Sequence, residues 1–553
     1  MSRFNTRTNR PAVSSPIRTT GAATRTYEGA PGHLRDERSE LFLLAVSNTV
    51  GTDTFYEKAG DRDDRYVQLV RQLAVEDPAW TYNLLHWLRT DGNMRTASLV
   101  GAVEFVKARL DAKADDLVLR PAQQGVNRLV VDAVLQRADE PGEFLAYWTS
   151  RYGRNVPKPV KRGISDAVQR LYNGRALLKY DTDSKGYRFG DVLNLVHATP
   201  HADKPWQGGL FKYALDRRHN PDTALPPDRD RLLTANRELL ALPIAERRAV
   251  VTEPGGIERL SAAGLTWEAL ADWLQGPMDA AAWQAVIPSM GYTALLRNLR
   301  NFDQAGVSDE VAEQVAATLA APEAVAKSRL FPFRFWAAYK HTHSLRWGHA
   351  LEKALAHSLA NVPSLPGRTL ILVDRSPSMF PGYGFSTPNK SDIPLAEQAA
   401  VFGAALAARA ADPTLVEFGM HSNCIDVPRG GSVLRLIEQF GRIDGTDIPS
   451  AVKEHYRDHD RVVIVTDEQT RPGWLPSNCH GHWGGMPETR IDDLIPARVP
   501  VYMWNMAGYK PGAMPSGSGN RHTLGGLTDA AFSLIPLLDA GRDAKWPWEQ
   551  QRG

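Results

Sequence analysis

Two cysteines in 553 residues, Cys424 and Cys479, are too few for a disulfide framework, and so thiol-poor a chain fits a reducing cytoplasm. No apolar run approaches the roughly 20 residues that a bilayer crossing needs. The longest candidates, such as residues 399–408, are interrupted or amphipathic, so no membrane association is expected. The first 25 residues carry Arg3, Arg7, Arg10, Arg18 and Arg25 with no acid. They lack the apolar core of a secretory signal, so export is not expected, and residues 1–26 read as a disordered basic tail. Sixty-five Lys and Arg against 63 Asp and Glu leave a formal charge of only +2, which says little about partners.

Several chemistries lack their parts. There is no phosphate-cradling Walker loop and no zinc-protease helix motif. Asp374 is followed two residues on by Ser376, where an aspartyl-phosphate enzyme needs a second acid. His197 and His201 have metal-ligand spacing, but Pro200 breaks the helix that would pair them. Cys479, His480 and His482 are spaced too tightly for a structural zinc site and read as an exposed loop. No catalytic site is expected.

The length calls for two or more units, and 43% hydrophobic with 23% charged residues is the composition of a globular protein. From about residue 35 to 359 the apolar pattern is helical. Residues 41–44 open a first apolar face; Tyr66, Leu69, Val70 and Leu73 follow, then Trp80, Leu84, Leu85 and Leu88 after an Asp77-Pro78 start signal. Short turns between helices of ten to fifteen residues fit stacked helical pairs, although no fixed repeat period is visible. The prolines at 363 and 366 punctuate the change to alternating strands and helices. Strands are predicted at 369–373, 414–418, near 425–427, at 462–466 and 499–504, with helices at 395–411, 433–440, 448–456 and 528–538. That alternation specifies a doubly wound, mostly parallel sheet.

The strand at 369–373 ends in Asp374, Ser376 and Ser378, and the one at 462–466 ends in Asp467. Thr446 lies in a loop between them. Ligands gather at the carboxyl ends of strands in such sheets, and oxygen-only donors suit Mg²⁺ rather than Zn²⁺. Together Asp374, Ser376, Ser378, Thr446 and Asp467 resemble the metal-ion-dependent adhesion site of a von Willebrand factor A domain, against the alternative that the hydroxyls cap helices and turns.

Further stretches extend the resemblance. Leu88 to Ser98, Arg151 to Arg154, Lys179 to Leu193, Ile287-Pro-Ser-Met-Gly-Tyr-Thr-Ala-Leu-Leu-Arg-Asn-Leu299 and Phe331 to Lys340 are similar, in order, to segments of the Ro ribonucleoprotein family, whose N-terminal part is the TROVE domain. The resemblance implies an α-solenoid of HEAT-like repeats over residues 27–362, forming a ring closed by a von Willebrand A-like domain over 363–553, in a monomer. It also implies a small noncoding Y RNA on an outer basic surface, and single-stranded 3′ ends of misfolded RNA in a central hole. Polynucleotide phosphorylase or another exoribonuclease is the implied protein partner.

The residues make RNA binding physically reasonable. Arg154, Lys158, Lys161, Arg162, Arg170, Arg175, Lys179, Lys185 and Arg188 cluster within 35 positions among few acids, a phosphate-binding footprint or else a solvated helix face. Tyr180 and Phe189 interleave them and can stack on unpaired bases. Animal members of the family have a histidine where this chain has Phe189, so stacking is expected there in place of a hydrogen bond. His197 reads as a capping or RNA-contacting residue. Arg297 and Arg300 share a helix face; the resemblance puts them at the hole, while capping of helix-end carbonyls is the alternative. Two other classes compete with RNA binding: a metal-dependent adhesion module, and a tethering subunit of a larger enzyme.

Overall fold

The computed structural model describes residues 13–119, 124–182, 184, 186–342, 344–380, 393–472, 489–527 and 529–550. Arg3, Arg7, Arg10, Lys185, Cys479, His480 and His482 lie outside them. Two compact units emerge, one from the described parts of Met1–Leu69, Leu330–Ala337 and Glu352–Gly553, the other from Val70–Arg329 and Ala338–Leu351. These divisions differ from the predicted boundary at 362/363, because residues 13–69 belong with the sheet.

The second unit is helical. Asp77 caps the helix Pro78–Thr90 by accepting from the Trp80 N–H at 3.2 Å, and Trp80, Leu84, Leu85 and Leu88 are buried as their spacing predicts. In the helix Lys158–Leu171, Val160, Ile164, Ala167 and Val168 form the buried stripe. A Cβ at Gly163 would lie 2.7 Å from the Val131 Cβ, so glycine is what lets this helix approach Val126–Val134. Further along, Trp283 packs edge on face with Phe302, whose ring is tilted against Trp347, and Arg346 binds Asp303, Asp309 and two carbonyls. The unit returns on itself. Arg329, left-handed at φ 51°, ends the helix Pro322–Ser328 and donates to the Thr90 carbonyl at 2.6 Å, while its own carbonyl accepts from Asn93 at 3.2 Å.

The first unit is built on a six-stranded sheet ordered Arg521–Gly525, Val501–Asn505, Arg461–Thr466, Leu365–Asp374, Ala410–Phe418, Ser422–Ile425. All neighbours run parallel except the last, antiparallel edge strand. The predicted doubly wound architecture is therefore present. Central strands are buried on both faces, as continuous apolar runs require. Leu370, Leu372, Val416, Phe418, Val462 and Ile464 form the core with Ile448 and Val452 from the helix Ile448–His455. The strand Arg521–Gly525 escaped prediction because Arg521 and His522 mask its short apolar stretch, yet both are buried.

The N-terminal segment corrects two expectations. Residues 19–25 are no disordered tail: Thr19–Arg25 pairs antiparallel with Pro31–Arg35, and Val13 and Ile17 are buried. The helix Glu37–Val46 does not open the helical stack either. It is apolar nearly all round and buried in the sheet unit, its Leu44 Cα only 2.8 Å from where a Cβ would sit at Gly508 (φ 66°) and Phe42 packed on Trp546. Arg35 anchors this segment through a fully buried ion pair with Glu468, whose carboxylate also accepts from Asn505 at 2.8 Å and the Ala513 N–H at 2.9 Å. Arg35→Ala leaves that carboxylate buried and short of its cation, so the sheet unit should lose about 3–5 kcal/mol, read by urea denaturation followed through tryptophan fluorescence.

Candidate metal centre and nucleic-acid interface

The central strand Leu365–Asp374 and its parallel neighbour Arg461–Thr466 end side by side, which sets Asp374 beside Thr466 and Asp467. The Thr466 hydroxyl donates to Asp374 Oδ2 at 2.5 Å, and the Ser376 N–H to Oδ1 at 2.8 Å. Ser376 Oγ and Ser378 Oγ stand 3.1 Å apart. Asp467 Oδ1 accepts from the Gln469 N–H at 3.0 Å, while Oδ2 is buried and accepts no well-formed hydrogen bond among the described residues, although the Ser378 hydroxyl stands close enough to stabilise the carboxylate. Thr446 is buried, and its carbonyl accepts from the Arg471 N–H at 2.9 Å, which ties its loop to the one that carries Asp467. Asp447, next in line, is used up as the N-cap of Ile448–His455.

Asp374 and Asp467 are both fully buried. Burial raises the Asp374 carboxyl above its ordinary range, opposed by hydrogen bonds from Ser376 and Thr466. Asp467 is pushed up by burial first and by the Asp374 carboxylate second. Two dry carboxylates with one unanswered oxygen are a poor arrangement alone and a good one around a hard cation. Among the described residues no group of three or more His, Cys, Asp or Glu could hold a metal ion, so a cation at Asp374 and Asp467 would need the neighbouring hydroxyls as well.

Other residues of the centre lie far off in sequence. The turn at residues 26–30 sits on the Asp467 loop: the Thr26 hydroxyl donates to the Thr470 carbonyl at 2.6 Å, and the Tyr27 N–H to Gln469 Oε1 at 2.9 Å. Tyr56 donates to Glu28 at 2.7 Å. Burial and then the Asp467 charge raise its phenol, with the Ser378 hydroxyl close by. Tyr27 stacks on Tyr56 at 5.0 Å. No local pattern around Tyr56 signals a place some 300 residues away.

The helical unit sorts the predicted RNA-binding residues. Arg154, Lys158, Arg162, Arg175, Arg297 and Arg300 are exposed and Lys161 half-buried; none of their side chains pairs with an acid among the described residues. Lys179 and Arg137 lie over the Tyr180 ring at 5.1 and 5.4 Å. His197 is exposed in a left-handed cap at φ 57°. Three expectations change. Phe189 is 2% exposed and stacked on Tyr172 at 3.8 Å, so it is core and not a platform for a base. Arg188 pairs with buried Asp181 at 3.0 Å. Arg170 binds Asp132 at 2.7 Å and the Leu135 carbonyl at 2.9 Å, which fastens helices together. Lys185 lies outside the described residues.

Two outcomes follow. The raised carboxyls hold protons that the unfolded chain has released above about pH 4, so their stabilisation is complete below that range and is lost as pH rises through the folded values. In EDTA, thermal stability should fall as the pH rises from about 4 to about 8, the value to which the Asp467 carboxyl is raised, and Mg²⁺ should restore more at the alkaline end; differential scanning fluorimetry reads both. Phe189→Ala should cost about 3–5 kcal/mol of helical-unit stability and leave RNA affinity per folded molecule unchanged, measured by denaturation and by filter binding at low temperature.

Residues 262–355 match the TROVE domain family, a span that contains the Ile287–Leu299 and Phe331–Lys340 stretches. No curated protein matches the chain. The crystal structure of the Deinococcus radiodurans Ro (RSR) protein is similar over 92% of this chain and 100% of its own, at 18% identity and a TM-score of 0.59. The chain thus has a TROVE-like stretch set within the fold of a bacterial Ro protein.

Proposed function

We propose that the chain is the protein component of a Ro-type ribonucleoprotein, a non-enzymatic RNA binder of the cytoplasm. The observation that carries this reading is the set of cations on the helical unit that meet no acid among the described residues. Lys158, Lys161 and Arg162 occupy the first turns of Lys158–Leu171, a helix whose first turn holds no acid. The helix dipole and these side chains therefore act together on phosphate. Arg154, Arg175 and Lys179 extend the set, with Tyr180 as an aromatic platform, and His197 and Lys185 belong to the same proposal. A Y-like small RNA is the proposed ligand here, and single-stranded 3′ ends of misfolded RNA are the proposed ligand of Arg297 and Arg300.

In the sheet unit, Asp374, Ser376 and Ser378 would hold Mg²⁺, with Thr446 and Asp467 direct or through water; the orphaned Asp467 oxygen supports this assignment. When bound, the ion supplies a Lewis-acidic position open to a carboxylate from a partner. Asp374 and Asp467 keep that position dry and anionic, and Thr466 and Gln469 orient their oxygens. An exoribonuclease such as polynucleotide phosphorylase is the proposed partner, recruited by a monomer of this chain.

Reversing Lys158, Lys161 and Arg162 to Glu should weaken Y RNA binding. Its salt dependence should flatten by roughly 0.7–0.9 in log–log slope for each phosphate no longer neutralised; unchanged affinity in filter binding would remove the patch from the interface. Asp374→Ala should abolish Mg²⁺ binding in calorimetry and spare RNA affinity. Loss of both in a folded variant would mean that the two sites are one.

A further inference from the structure

On the antiparallel edge strand Ser422–Ile425, Ser422 and Cys424 are two positions apart and so share one face. His455, the last residue of the helix Ile448–His455, bridges them with its two ring nitrogens. Nε2 lies 2.8 Å from Ser422 Oγ, and Nδ1 lies 3.6 Å from Cys424 Sγ. The Ser422 hydroxyl donates to Glu454 Oε2 at 2.8 Å. That last bond sets the direction of the others. A hydroxyl with its proton on the carboxylate can only accept from the ring, so Nε2 carries the hydrogen and Nδ1 presents its lone pair to the thiol.

We infer that Cys424, His455, Ser422 and Glu454 form a reactive-thiol site, in which His455 acts as the base for Cys424 and the exposed thiol adds to soft carbon electrophiles of the α,β-unsaturated carbonyl class. The arrangement has the logic of a nucleophile, a base and an orienting acid. Cys424 is exposed, whereas the His455 side chain is 11% exposed and fixed by its neighbours. Burial holds the imidazole below its ordinary range, against the pull of Glu454 and with the push of Arg457, so the ring is neutral and able to accept a proton near pH 7.

The step balances without a co-reactant. Sulfur attacks the β-carbon, the S–C bond forms as the S–H bond breaks, and His455 Nδ1 takes the proton. The alkene pair moves onto the carbonyl as an enolate, which recovers that proton at the α-carbon.

N-ethylmaleimide is the probe, added to full-length Cys479→Ser protein so that one thiol remains, with adducts mapped by mass spectrometry. Cys424 should alkylate near pH 7, and His455→Ala should lower its second-order rate constant at least about tenfold, the low side of a general base's contribution. The parent's pH profile should carry a step at the imidazole's titration, and that step should be gone in the variant. Ser422→Ala and Glu454→Gln should give smaller losses in the same direction. Equal rate constants and pH profiles for parent and His455→Ala, both with native circular dichroism, would overturn the assignment, as would the absence of a Cys424 adduct. Should His455→Ala fail to fold, an unchanged profile in Glu454→Gln would count against it equally.

Discussion

Two carboxylates buried next to each other at the ends of adjacent parallel strands are the constraint around which the sheet unit is arranged. Asp374 and Asp467 are held by the register that pairs Val373 with Val465, and neither can turn to water. Everything near them reads as a response to that charge. Thr466, the Ser376 N–H and the Gln469 N–H each donate to one of the two. One oxygen is left over, and an unanswered buried carboxyl oxygen is expensive in a low-dielectric interior. The hard cation proposed for this site would answer it.

The Asp467 loop is in turn clamped from both sides of the chain. Arg35, Asn505 and Ala513 converge on Glu468, which adopts a left-handed backbone at φ 67°, and Thr26 and Tyr27 bind Thr470 and Gln469. A non-glycine residue is kept in that conformation only where its surroundings over-determine it. The loop is therefore preformed, and a ligand that meets it does not have to order it.

Much of this was legible from residue order. Continuous apolar runs ending in acid gave the central strands and the Asp374, Ser376, Ser378 and Asp467 cluster, because a strand's end fixes where its next residues go. Periodic stripes such as Trp80, Leu84, Leu85 and Leu88 gave the helices. What escaped depends on partners distant in sequence. Thr19–Arg25 shows no alternation because it lies on the surface and is ordered by backbone pairing. Phe189 looked like a platform among cations, but only the approach of Tyr172 reveals it as core. Arg170 and Arg188 are indistinguishable by sequence from Arg162 and Arg175; the difference is an acid two helices away in one case and seven residues back in the other.

The sheet unit is discontinuous: residues 13–69 complete a structure whose strands come from residues 365–525. During synthesis the ribosome makes the helix Glu37–Val46, with Leu41, Phe42, Leu43 and Leu44 uncovered, more than 450 residues before Gly508, Gly525 and Trp546 exist to receive it. At about 5–20 residues per second that interval lasts tens of seconds, long enough for an exposed greasy segment to find a wrong neighbour. The nascent chain thus carries an aggregation hazard at its leading end, and a holdase at the tunnel exit would be of most use to this protein before its last strand has emerged.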